Sequence, residues 1–101
     1  MIKMIIVIGR VLARSNNLEN LLELCIEHSQ RSRKEQGCLS HAVHRDAENP
    51  LRLVFVEEWA DRASLDRHFN VPASRDFVRA ARVLAAELPV MNVFDANLML
   101  L

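Results

Sequence analysis

Each change in the spacing of apolar positions along this chain marks the start of an element. Residues 2–13, IKMIIVIGRVLA, are an almost unbroken run of Ile, Val, Leu and Met. A run this short and this apolar predicts a central strand covered on both faces. Gly9 lies inside it. A glycine weakens a strand but admits the close approach of another group, so it marks where this strand borders a cavity.

Ser15, Asn16 and Asn17 end the run, and Asn16 with Glu19 has the reciprocal spacing of a capping box. The helix that follows is predicted over residues 17–36, closing at Gly37. Its inward stripe is Leu18, Leu21, Leu22, Cys25, Ile26 and Ser29, while Glu19, Glu23, Glu27, Arg31 and Lys34 are solvated. His28 falls at the edge of that stripe without an evident partner and is expected to be an exposed or rim histidine.

Period two returns over residues 38–46, with Leu39, His41 and Val43 on one face and Cys38, Ser40, Ala42 and His44 on the other. Glu48, Asn49 and Pro50 form a turn, and a short turn between strands predicts an antiparallel hairpin. Its second arm is residues 53–59, where Leu53, Phe55, Glu57 and Trp59 share one face and Val54, Val56 and Glu58 the other. His41 therefore stands on the strand beside Glu57 and Trp59, in a register that the sequence leaves open. Asp61 then caps a helix whose inward stripe is Leu65, His68 and Phe69. Val71 breaks it, because a residue before proline is pushed out of helical space. A second helical piece is predicted over residues 74–87, with Phe77, Ala80, Ala81, Leu84 and Leu88 as its apolar line and Pro89 as its stop. Residues 90–100 alternate once more, as a fourth strand.

The order strand, helix, strand, strand, broken helix, strand predicts an α+β fold of the ferredoxin-like βαββαβ type. Its sheet has four antiparallel strands with the helices on one face. The other face carries Val54, Val56 and half of the outer strands, and is also apolar. A homodimer, sheet against sheet, is the simplest cover.

Composition narrows the picture. A chain of 101 residues, 50% hydrophobic and without a Gly- or Ser-rich linker, is expected to form a single domain over residues 1–101. Basic and acidic residues balance at 13 each and no basic cluster carries interleaved aromatics, which argues against a nucleic-acid partner. The apolar runs fall far short of the ~20 residues of a spanning helix and the N-terminal stretch lacks a small-residue cleavage site, so a cytoplasmic protein without a membrane partner is expected. Cys25 and Cys38 lack metal-ligand company at close spacing and are expected to be small buried apolar groups.

Candidate chemistry concentrates in residues 53–69, where a carboxylate, an indole and an imidazole (Glu57, Trp59 and His68) are aimed at one apolar space. A plainer reading stands beside it, in which Trp59 is a core anchor, Glu57 pairs with an arginine such as Arg10, and His68 is a satisfied rim histidine. The pieces EQGCLSHAVHRDAENP and FVEEWADRASLDRHF, followed after a short break by Phe77, resemble the antibiotic biosynthesis monooxygenase family of dimeric α/β barrel proteins across essentially the whole chain. The most specific matches are Glu35 with Gly37, Cys38 and Leu39, then Glu57 with Trp59, then Leu65 with His68. The family includes cofactor-independent oxygenases of anthrones and hydroquinones, haem-degrading enzymes, an isomerase of a phosphorylated signalling sugar and uncharacterised proteins.

Three departures shape what that resemblance implies. His41 stands where the family commonly has a tyrosine, and the chain has no tyrosine at all, which excludes a phenol-based mechanism. Gly9 stands where the haem-degrading branch has an asparagine, and residues 70–75 differ from that branch's haem-ligand region. Residues 71–77 replace the family's Ser-Pro-His-Phe run with a longer, charged segment. The resulting expectation is a cofactor-free monooxygenase that oxidises a small aromatic hydroquinone or anthrone-like substrate with O2. A base with a pKa near neutrality, an apolar slot and a donor for the oxyanion suffice for that chemistry. His68 or His41 is the expected base, with Glu57 tuning or orienting it. Trp59 is expected to stack on the substrate, and Phe55, Leu65, Phe69 and Phe77 to complete the slot. The four histidines are scattered in sequence, so no metal and no prosthetic group are expected. The alternatives kept open are a non-catalytic small-molecule-binding or stress-response homodimer, and an isomerase of a small signalling molecule.

Overall fold

The computed structural model describes residues 2–101. Seven elements follow in order: β1 (Ile2–Leu12), α1 (Leu18–Ser32), β2 (Cys38–Arg45), β3 (Arg52–Trp59), α2 (Arg62–Asn70), α3 (Pro72–Leu84) and β4 (Val90–Leu98). The strands form one antiparallel sheet in the order β2-β3-β1-β4, so the most apolar strand is an inner one. This is the expected ferredoxin-like α+β arrangement.

All three helices cover the same face. Val11, Leu53 and Phe55 pack with Leu21 and Cys25 of α1 and Ala81 of α3 in one cluster, and Ile5, Val7 and Trp59 pack with Leu65 of α2 in a second. Burying side chains of this size stabilises the fold by roughly 1.5–3 kcal/mol each before entropy is counted. The opposite face presents Ile6 and Ile8 of β1, paired with Phe94 and Asn92 of β4 and with Glu58 and Val56 of β3. Among the described residues no helix lies over it.

The helix boundaries differ from expectation for local reasons. Helix α1 stops at Ser32, not at Gln36, because successive backbone turns (Lys34 N–H to Arg31 O, Glu35 N–H to Ser32 O, Cys38 N–H to Glu35 O) carry the chain to Gly37, which has φ of 85°. Asn16 does not cap it. Asn17 is the cap residue, but its side chain accepts from the Arg14 N–H and donates to the Leu84 carbonyl, tying the helix start to α3. The break at Val71 separates two helices, α2 and α3, and places Pro72 in the first turn of the second, where its missing N–H costs nothing. Asp61 does cap α2, accepting from the Ser64 N–H at 2.8 Å. The face of α2 that turns inward is Ser64, Leu65 and His68, with Phe69 at its margin.

Strand β2 carries an irregularity between Cys38 and Ser40, which pair with the consecutive residues Trp59 and Glu58. Two residues on one strand against one on the other is the signature of a bulge. It turns Leu39 out to solvent, away from the face it was expected to share with His41.

Candidate active site

The register left open by the sequence is closed by the β2–β3 ladder, in which His41 lies directly opposite Glu57. Opposed residues in an antiparallel pair share a face. His41 and Glu57 therefore both point toward the helices, flanked by Phe55 and Trp59 of the same strand. His68 comes down from α2 onto the indole of Trp59, ring centres 4.6 Å apart. His28 comes from α1. It stacks on Phe77 at 4.1 Å with its ring centre 5.2 Å from each of His41 and His68.

His28 is thus buried, not on the rim, and is a site residue that the sequence reading missed. The inward stripe of α1 runs Leu21, Cys25, His28, Ser29 and Ser32, one step round from the predicted one, and Ile26 is exposed. Two residues already placed, Ser29 on the inward stripe and Glu35 before Gly37, turn out to hold the other two histidines. Ser29 Oγ lies 2.8 Å from His41 Nδ1, and Glu35, from the turn after α1, lies 2.9 Å from His68 Nδ1. A carboxylate only accepts, so His68 carries its proton on Nδ1 and leaves the Nε2 lone pair free. That nitrogen has no protein hydrogen bond and is not sealed from solvent.

Glu57 is the electrostatic centre. Its Oε1 accepts from Trp59 Nε1 at 3.0 Å and lies 3.3 Å from His41 Nε2, within ion-pair distance. Burial works against its charge, but the nearby His41 and the Trp59 N–H outweigh it, so the carboxyl is held below its ordinary value. Arg10 takes no part: it lies on the surface and donates to Asn92. Cys25 and Cys38 are free thiols, pushed up to about 12 and about 11, first by burial, so neither is a thiolate nucleophile.

A cavity of about 440 Å³ opens between the sheet and the helices. His28, His68 and Glu57 stand on its wall with Phe55, Phe77 and Phe69, and Gly9 borders it, beside the Phe55 side chain. Arg10, Arg75, Arg79 and Arg82 belong to the same lining and are exposed. Trp59, His41 and Leu65 do not reach the cavity. All three are at most 1% exposed. Trp59 is packed behind His68 and Glu57, so it shapes and holds the wall without offering a face to a ligand.

Buried His28 gives the fold a pH dependence. Burial, then the neighbouring His41, His68 and Arg31, lowers His28 from an ordinary 6.5 to about 3. Between those values the unfolded chain takes up a proton that the folded chain refuses, so stability is full above about 6.5 and is lost as pH falls toward about 3. The expected slope is at most about 1.4 kcal/mol per pH unit from this one group. Melting temperature followed from neutral to acid pH should show it, and His28→Phe should flatten it. An unchanged slope in that variant would remove His28 as the source.

Among the described residues no helix is long and apolar enough to cross a membrane. A protein of Deinococcus radiodurans, provisionally described as an antibiotic biosynthesis monooxygenase, superposes with a TM-score of 0.90 at 22% identity, covering 95% of each chain. A crystal structure described as antibiotic biosynthesis monooxygenase gives 0.85 at 27% identity, over 92% of this chain and 98% of the other. An uncharacterised protein of Synechocystis is 29% identical over 90 residues, 89% of this chain, and the chain spans only 61% of that relative's length. The profile of the antibiotic biosynthesis monooxygenase family matches residues 4–80, a span that runs from within β1 to within α3 and holds His28, Glu35, His41, Glu57, Trp59 and His68, and the chain belongs to that family.

Proposed function

We propose that the protein is a cofactor-independent monooxygenase of a small, flat, electron-rich aromatic substrate, an anthrone or hydroquinone. The observation that carries this reading is His68, which lines an apolar cavity of about 440 Å³ with its Nδ1 on Glu35, so that Nε2 is the nitrogen left for a substrate. This is the arrangement of a general base oriented by a carboxylate. His68 Nε2 takes a proton from the acidic methylene of an anthrone. The resulting anion gives one electron to O2, which circumvents the spin barrier, and the two radicals join through a new C–O bond. Loss of the second methylene hydrogen and cleavage of the O–O bond leave a carbonyl, and the proton held by His68 leaves with the departing oxygen as water. For an anthrone the balance is CH2 + O2 → C=O + H2O; for a hydroquinone, whose hydroxyl proton His68 takes, oxygenation at a ring C–H gives a hydroxyquinone and H2O, in both cases without an outside reductant.

The apolar walls of Phe55 and Phe77 suit a planar ring, and the arginines of the lining suit a negative charge on it. Oxygen uptake on adding a reduced naphthoquinone or an anthrone, measured against the uncatalysed background, tests the reading. Uptake no faster than background with either substrate would leave a binding protein of the same fold, the alternative reading.

The same reading includes a homodimer. Ile6, Ile8, Val54, Val56 and Phe94 lie on the helix-free face of the sheet, and Val56 and Phe94 are 37% and 50% exposed. An apolar sheet face of this kind marks an interface. Sedimentation at micromolar concentration should give twice the 11.6 kDa of one chain, and Val56→Glu together with Phe94→Glu should shift it toward monomer. A wild-type monomer would end this part of the proposal.

A further inference from the structure

We infer that His28, His41 and His68 form a binding site for one late first-row divalent metal ion, of the zinc, cobalt, nickel or copper class. The three residues are 40 positions apart in sequence, from His28 to His68, and all three are buried. Each can offer a ring nitrogen such that the three nitrogens lie within 4.8 Å of one another. With metal–nitrogen bonds of about 2.0–2.1 Å, three imidazoles in a tetrahedral set have ring centres about 5 Å apart and nitrogens roughly 3.4 Å apart. The ring centres here are 5.2, 5.2 and 5.7 Å apart. The ring separations are therefore close to those of a ligating set, and binding has to draw the nitrogens from within 4.8 Å to roughly 3.4 Å of one another.

The surroundings are those of a metal site as well. A ligating histidine almost always has its other nitrogen held by an outer partner, which fixes the ring. His68 has Glu35 on Nδ1 and His41 has Ser29 on Nδ1, which leaves Nε2 of each ring unbonded. His28 Nδ1 is buried without any partner, and His41 Nε2 has only Glu57 Oε1, at 3.3 Å. An unsatisfied buried nitrogen such as His28 Nδ1 is costly, and a metal ion would satisfy it. Glu57 Oε1, 3.3 Å from His41 Nε2, adds an anionic oxygen beside the three imidazoles and offsets the ion's charge. Imidazole with one carboxylate suits zinc, copper, nickel and cobalt better than calcium or magnesium.

Occupancy also has a consequence that rests on the base proposed above. A metal ion on His68 uses the lone pair that would accept the substrate proton, so the loaded protein cannot use that base. Zinc should inhibit oxygenation, and a chelator should restore it.

Binding is tested without reference to turnover. Chelator-treated protein titrated with Co2+ should develop the visible d–d bands of a four- or five-coordinate ion, saturating at one ion per chain, and Zn2+ should displace it one for one. His28→Phe and His68→Gln should abolish the bands. Glu35→Gln, which leaves all three ligands in place, should weaken Co2+ ~10- to 100-fold, as loss of an outer-shell partner does. His44→Ala, altering the one exposed histidine, should change nothing. Circular dichroism on each variant separates lost ligands from lost fold. No d–d bands in wild-type protein, or bands that survive both His28→Phe and His68→Gln, would overturn the site. Cobalt binding in a protein without oxygenase turnover would leave the metal site standing and remove the oxygenase reading instead.

Discussion

His68→Ala is expected to lower the rate of quinol or anthrone oxidation ~10²- to 10⁴-fold, with little change in the affinity for the neutral substrate. The size follows from the role. A positioned base acts only as the proton moves, so its loss appears in kcat and not in ground-state binding, whereas loss of a wall residue such as Phe77 should appear mainly in KM. The orienting contact makes the prediction more specific. Glu35 fixes the Nδ1 proton of His68 and with it the Nε2 lone pair, so Glu35→Gln, which can present a donor to the same nitrogen, should slow turnover while leaving KM near its original value. The increase of rate with pH that a histidine base imposes should be present in wild type and absent in His68→Ala. His41 is the control, because it is only 1% exposed and does not reach the cavity. If the pH dependence survives in His68→Ala and disappears in His41→Ala, His68 is not the base.

Sequence periodicity was sufficient for the sheet and for the face on which Phe55, Glu57 and Trp59 lie, because a strand's period of two has only two phases. It was less sufficient for α1. A helix stripe can turn by one position without violating any local rule, and the choice between Ile26 and His28 depends on what the helix meets: the Phe77 ring takes His28, while Ile26 faces solvent. The pattern was nonetheless visible, since Leu21, Cys25, His28 and Ser32 recur at the i, i+4, i+7, i+11 spacing of one helix face. Its reading was obscured by the usual preference of histidine for the surface. Glu35 illustrates a different limit. Its resemblance to the family's pattern was legible, but its role was not, because it meets His68 across 33 residues of chain. The convergence of three histidines is of the same kind. Residues on α1, β2 and α2 become neighbours only through the fold, and scatter in sequence says nothing about it.

Trp59→Ala is expected to destabilise the protein by ~3–5 kcal/mol, the range for truncating a large buried aromatic. An indole stacked against the substrate, as its strand position predicts, would on removal weaken binding by roughly 1–3 kcal/mol with the fold intact. Its position moves the expected loss from affinity to stability. Trp59 is 0% exposed, packs with Ile5, Val7 and Leu65, and supports the ring of His68 from behind. Trp59→Phe separates its two contributions. Phenylalanine fills most of the space but cannot donate to Glu57 Oε1, so the remaining deficit, about 1–3 kcal/mol, measures the cost of leaving a buried carboxylate oxygen short of its N–H partner. Glu57 should then titrate higher than in wild type, since one of the contacts that holds its charge is gone. Chemical denaturation of both variants gives the two energies directly. A Trp59→Ala protein that unfolds at the wild-type midpoint yet binds a planar quinol more weakly would mean that the indole faces the ligand after all, and that the cavity wall runs on the other side of it.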